Sequence, residues 1–350
     1  MFVGHGLLAF AIVALYGHRV GWDREYILSV AVLAGAFATL PDVDIVYAPV
    51  GLLGGVSGVF SAAEAFWQTG NVVHRGITHS LVVAAVAALA FGLWTGARDW
   101  QRDPRGHWTH RERVIGSTAL GLLAGLVAVA TLVTGGLGGV IMTVFVTVGL
   151  AITTVAARRG IPARQVAIVA LFGIASHPFG DLFTGSPPAF LYPLDVTLFA
   201  HRVGLSPDPT LNLIGAFLIE LGTFWLATYA YCRLRDERVR TYVSPRAAVG
   251  LGYAGAVVLL PPPTLAASAR FVFSALAVGF VGSVGVDPRP LADRESRFDG
   301  RTRSGFGRGY RTLVPRSRSI TRADAPTAFV TGLAAVTLAI CGYTLAYLLF

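Results

Sequence analysis

An all-α, polytopic transmembrane bundle of about ten apolar helices is the fold that this sequence predicts, on three observations. Of 350 residues, 54% are hydrophobic and 13% charged, whereas about a quarter of a typical soluble chain is charged. The mean hydropathy is +0.63. The apolar residues are gathered into runs separated by arginine-rich connections. Backbone polar groups in hydrocarbon must be satisfied within their own segment, so such runs read as helices.

In chain order the first six runs are Phe2 to Tyr16, Tyr26 to Leu40, Ser80 to Gly96, Val114 to Thr134, Leu137 to Ala157 and Ile161 to Phe179. Four more follow at Leu211 to Tyr231, Arg246 to Leu260, Leu265 to Val286 and Ala328 to Phe350. The first two and the sixth are shorter than the roughly 20 residues that span a bilayer, which suits tilted helices or helices packed inside a bundle. Gly51 to Thr69 is apolar but interrupted by Gly and Ser and contains Glu64, the pattern of an interfacial or re-entrant helix. No internal repeat is evident.

The basic residues test the crossing count. All 28 are arginines. If every run crosses, 25 of them fall on one side, in the connections after runs one, three, five, seven and nine; Arg75, Arg202 and Arg270 are the exceptions. Positive connections stay cytoplasmic, so that face is inside and both termini are outside. The stretch Asp287 to Asp324, with ten Arg among Gly, Ser and Pro, reads as a solvated cytoplasmic loop that fixes topology. Contact with anionic headgroups would be its functional role. The net charge of +9 is thus accounted for by the membrane rather than by nucleic acid, and the expected partners are membrane lipids. Cys232 and Cys341 sit in or beside apolar segments and form no disulfide framework. The start, Met1-Phe2-Val3-Gly4-His5, lacks the basic region of a cleaved signal peptide.

Few ionisable residues lie near the apolar runs, and those few cluster by type. Asp42 and Asp44 follow run two, in Leu40-Pro41-Asp42-Val43-Asp44. His74, Arg75 and His79 precede run three, in His74-Arg75-Gly76-Ile77-Thr78-His79-Ser80. His177 and Asp181 end run six, and His5 opens run one. Alternation of crossings delivers all seven His and Asp residues to the same outer end of their helices. Imidazoles and carboxylates are the ligands of a divalent metal such as zinc. The i, i+4 spacing of His177 and Asp181 puts them on one face, unless Pro178 opens a new turn.

Blander roles exist for each residue alone. Asp42 after a proline suits a cap or turn. His18, His107, His110 and His201 suit amphipathic interface positions, and Glu220 in run seven suits either a functional intramembrane carboxylate or a hydrogen-bonded packing residue. No such role covers the seven together.

The ordered set of His5, Leu-Pro-Asp42-Val-Asp44, His74-Arg-Gly-Ile-Thr-His79-Ser and Ser-His177-Pro-Phe-Gly-Asp181 resembles the YdjM-like family. Its members are described as LexA-binding, inner-membrane-associated, metal-dependent hydrolases. The resemblance covers residues 1–205, with a helical hairpin at 114–157 as an insertion. Residues 206–350 add further transmembrane helices and the Arg-rich loop at 287–325. Where the family commonly carries His after the second aspartate, this chain has Ile45. The resemblance implies a metal site more directly than it implies a substrate.

The resulting expectation is a plasma-membrane hydrolase holding a divalent metal, zinc or alternatively manganese, at the outer interface. His74, His79, His177, Asp181 and Asp42 would be ligands, with Asp44 and His5 as ligands or orienting groups. Asp44 or Asp42 would act as general base, and Arg75 would hold a phosphate or carboxylate or pair with an aspartate of the cluster. An amphiphile such as a lipid phosphoester is the expected substrate. A metal or proton transporter, or a structural protein with a metal staple, would use the same residues. The number of metals and the oligomeric state are left open by the sequence.

Overall fold

A computed structural model describes residues 2–72, 74–97, 109–259, 261–284 and 325–349. His107 and the arginine-rich stretch over 287–324 lie outside them. Among the described residues there is no strand, and the elements are α-helices joined by 3-10 turns.

Helices α1 (Phe2–Arg19) and α2 (Arg24–Thr39) form an antiparallel pair. Asp23 caps α2 by accepting the Glu25 N–H at 3.0 Å. The chain then tightens into 3-10 turns over Leu40–Gly54, entered through Pro41, which the first turn tolerates because its N–H would have no helical partner. Helix α3 (Val59–Gly70) folds back against those turns. A short 3-10 turn, Ile77–His79, leads into α4 (Leu81–Ala97).

Helix α5 (His110–Arg158) is broken at Gly135, whose φ of 80° and ψ of −174° only glycine adopts without strain. A β-carbon on Gly139 would lie 2.2 Å from Thr131 Oγ1. Residues eight apart come that close only if the chain reverses, so α5 is the hairpin expected at 114–157. Helix α6 (Ala163–Asp181) follows, and it continues through Pro178 rather than restarting there. Helix α7 (Pro209–Leu234) begins after a long connection. The 3-10 turns of Pro245–Gly255, a single turn α8 (Ala256–Leu259), α9 (Ala269–Ser283) and α10 (Ala325–Leu349) complete the described chain.

Four of these stretches are long and apolar enough to cross a membrane: Arg24–Gly54, His110–Arg158, Pro209–Leu234 and Ala325–Leu349. The count of about ten is therefore not reached on length and composition. Leu81–Ala97, Pro245–Leu259 and Ala269–Ser283 are apolar but shorter.

Packing follows the rule for helices in lipid, where small side chains let backbones approach. The larger core joins α2, α4, α5 and α6 through Ala34, Ala38, Ala84, Ala87, Ala130 and Ala170. A second core gathers Leu213, Phe271, Ile340 and Tyr343 from α7, α9 and α10. Ala11, Ala14, Ile27, Ala227 and Ala230 tie α1 and α2 to α7. Glu220, in the middle of α7, accepts the N–H of Gly4 at 3.2 Å. Pro209 is eleven residues earlier, so α7 rises about 16 Å past the level at which α1 starts.

Candidate metal centre

The site is built where four of these elements begin or end. Ser80 caps α4: its hydroxyl accepts the N–H groups of Val82 and Val83 and donates to the Tyr192 carbonyl at 2.7 Å. This fixes His79, one residue earlier. Pro41 sets the 3-10 path that carries Asp42 and Asp44 off the end of α2. On α6, Gly173 lets the helix lie against α2, since a β-carbon there would be 2.8 Å from Ala38 N. That close approach puts His177, one turn further along, within reach of α2.

These contacts settle which nitrogen of each of two imidazoles faces the site. His177 Nδ1 lies 2.6 Å from the Ala38 carbonyl, which can only accept, so Nδ1 carries a proton and the neutral ring presents its lone pair at Nε2. Thr78 donates its hydroxyl proton to Asp44 Oδ2 at 3.0 Å, and its oxygen faces His79 Nδ1, also at 3.0 Å. That oxygen can accept from Nδ1–H, so neutral His79 likewise presents its lone pair at Nε2.

Both lone pairs then point at carboxylates. His177 Nε2 is 3.2 Å from Asp42 Oδ1 and 3.6 Å from Asp181 Oδ2. His79 Nε2 is 3.2 Å from Asp181 Oδ2 and 3.8 Å from Asp42 Oδ1. With both rings neutral, two imidazole nitrogens and two carboxylate oxygens converge as four donor atoms for a cation. His79 Nε2, His177 Nε2 and Asp181 Oδ2 are buried without any hydrogen-bond partner. Tetrahedral coordination at 2.0–2.1 Å separates donor atoms by about 3.3 Å, close to the observed spacings. Two neutral imidazoles and two carboxylates also balance the charge of a divalent cation, which a buried site requires. Within this set, Asp42, His79 and His177 form a group that could hold a metal ion.

The other three residues surround that set. Asp44 is fully buried; Oδ1 pairs with His74 Nδ1 at 2.9 Å, while Oδ2 serves Thr78 and lies 3.5 Å from His79 Nδ1. Both oxygens are committed to orienting neighbours. His5 Nε2 lies 3.2 Å from Asp181 Oδ1, and its ring sits over His177 with centroids 3.8 Å apart. Overlapping groups that could each hold an ion are His5, His177 and Asp181; Asp42, His79 and His177; and Asp44, His74 and His79.

Arg75 adopts a positive φ of 67°. Its Nε is 3.5 Å from Asp181 Oδ2, while its other nitrogens donate to the Ser186 carbonyl and to Thr184 Oγ1 at 3.2 and 3.0 Å. The guanidinium therefore straps the segment after α6 to the cluster.

The structure brings together all seven His and Asp residues singled out from the sequence. His18, His110 and His201 are exposed and apart from them. Glu220 caps the first turn of α1 through Gly4, next to His5, so it lies in the same layer rather than extending a path from it. Thr78 and the Ala38 carbonyl escaped the sequence reading. Thr78 had a signal, its place inside the His-rich motif, whereas a backbone carbonyl has none.

Comparison with known proteins adds one positive finding. The family model described as "YdjM inner membrane protein" matches residues 1–282, which runs well beyond Leu205, the limit expected from the motifs. No curated protein and no solved structure matches.

Proposed function

Because the chain belongs to the YdjM inner membrane protein family, and is therefore a membrane protein, we propose that it is a membrane-bound, metal-dependent hydrolase. The observation that carries this reading is the convergence of His79 Nε2, His177 Nε2, Asp42 Oδ1 and Asp181 Oδ2, with imidazole–carboxylate distances of 3.2–3.8 Å. Zinc suits two nitrogen and two oxygen donors, and manganese is the second choice. A bound divalent cation would polarise the scissile group and activate water near neutral pH.

The chain's own residues would do the rest. Asp42 Oδ2 is buried and makes no hydrogen bond, so it is the carboxylate oxygen free to take a proton from the attacking water. Asp44, with both oxygens engaged, holds His79 and His74 in place. Arg75 adds positive charge beside Asp181, which favours an anionic substrate such as a lipid phosphoester over a neutral one. If the shorter apolar helices cross as well, to a total of ten, the cytoplasmic face would take 25 of the 28 arginines and the cluster would lie towards the outer face. An amphiphile could then reach it without leaving the bilayer.

One observation favours a second reading, a structural metal staple. Asp44, His79 and His177 are fully buried, and Asp181 is 1% exposed, leaving little room for solvent. Metal content of the purified protein against His79→Ala and His177→Ala decides whether the centre exists. Stoichiometric metal lost in both variants is expected; no metal after incubation with zinc or manganese overturns both readings. Turnover of lipid phosphoesters in vesicles by the metal-replete protein then separates enzyme from staple, which would retain metal and release nothing.

A further inference from the structure

An apolar groove opens beside the metal layer, with a volume of about 330 Å³. One wall is the start of α4, at Val82 and Val86. The other is the α5 hairpin, with Gly121, Gly125 and Met142, and Tyr192 closes one end. Its position follows from His79. Ser80 donates to the Tyr192 carbonyl, Leu81 N–H donates to the Phe190 carbonyl at 2.8 Å, and Val82 already lines the groove. The groove thus starts within one helical turn of a candidate metal ligand.

Tyr192 OH and Thr134 Oγ1, 3.0 Å apart, join this end to the tip of the hairpin. From Val129, near that tip, the lining continues down to Gly121. Eight residues of helix are about 12 Å, running along the hairpin away from the metal layer. A β-carbon placed on Gly121 or Gly125 would meet nothing within 4 Å. These glycines therefore leave space open rather than admit a neighbouring helix, and Met142 supplies an adaptable surface.

We propose that this groove seats one acyl chain of the lipid whose headgroup ester is cleaved at the metal layer, and that the hairpin exists to form its wall. The proposal rests on the hydrolytic reading for the headgroup and stands on the groove for the chain. A lipid with its polar end at the cluster has its tail directed along the helices. The groove offers a predominantly apolar path in that direction, continuous with the residues that hold His79.

The test uses the full chain in phosphatidylcholine–phosphatidylglycerol vesicles doped with a phospholipid bearing a photoactivatable diazirine on its acyl chain. Labelling is mapped by mass spectrometry. Labels concentrated at Val82–Val86 and Gly121–Val129 are expected. Gly125→Leu, which fills the open space, should reduce them at least tenfold without changing metal content or the labelling of Phe280 on α9; Gly121→Leu is the second variant should the first not fold. Labelling spread evenly over apolar helices overturns the proposal. So does labelling indifferent to both variants, or a variant that only dissociates an oligomer, since a second copy would then fill the groove. Groove labelling without lipid turnover upholds the groove and removes the hydrolytic reading; turnover without groove labelling does the reverse.

Discussion

His177 on α6 donates its Nδ1 proton to the carbonyl of Ala38 on α2 across 2.6 Å. This one bond decides which nitrogen faces the two carboxylates, and it depends on Gly173 keeping the two helices close. Gly173→Val should separate them and weaken zinc binding at least tenfold, although no ligand is altered. Competition with a chelator of known affinity measures this, and unchanged affinity would refute the dependence.

Ligands and their supports should respond differently. His79→Ala and Asp181→Asn are expected to abolish stoichiometric metal. His74 supports the ligands through Asp44 and through its ring contact with His79, so His74→Ala should retain metal with about 10- to 100-fold lower affinity, the usual cost of losing an outer partner. If His74→Ala is as severe as His79→Ala, then the group formed by Asp44, His74 and His79 holds a metal of its own.

The cluster was legible in the sequence because its residue types are rare in an apolar chain, and alternating crossings placed them at one level. Their division of labour was not legible. Asp44 and Asp42 are two residues apart and look equivalent, yet one has both oxygens bonded and the other keeps Oδ2 free. The difference arises from Thr78 and His74, which only the folded chain brings near. Arg75 likewise reads as a loose anion binder until Thr184 and Ser186 are seen to hold it. The apolar runs gave the helices their approximate places, but not the 3-10 turns of Leu40–Gly54 and Pro245–Gly255. Hydropathy is blind to the rise per residue, so a tight helix and an α-helix look alike.

Removing a bound metal should leave two buried carboxylates without the cation that neutralises them. Uncompensated buried charge costs about 3–5 kcal/mol, so chelation is expected to lower the melting temperature, with recovery on adding zinc. A melting curve indifferent to chelator and zinc would argue that protons, not a cation, neutralise the cluster.

Glu220 should matter for stability through α1. Its carboxylate satisfies Gly4 N–H near the positive end of that helix, a contact worth about 1 kcal/mol. Glu220→Leu should lower the unfolding free energy by about that amount, while Glu220→Gln, which keeps the acceptor, should lose less than half of it. Equal losses in the two variants would show that the charge alone is responsible.

At Gly135 the hairpin turns on a left-handed φ. Gly135→Ala forces a side chain into that conformation and should cost about 1–3 kcal/mol. Chemical unfolding in detergent reads this directly, and a neutral effect would mean that the turn can relax elsewhere.

The bond from His5 to Asp181 spans 176 residues, and that separation is also an interval of time. At a synthesis rate of about 5–20 residues per second, Asp181 emerges roughly 10–35 s after His5. During that wait His5, then Asp42 and then His79 join the growing chain without their eventual partners on α6. Nascent chains arrested before and after α6 should therefore differ in how long they stay associated with the insertion machinery. The last-made ligands set the moment at which the earlier polar residues can be released into the bundle.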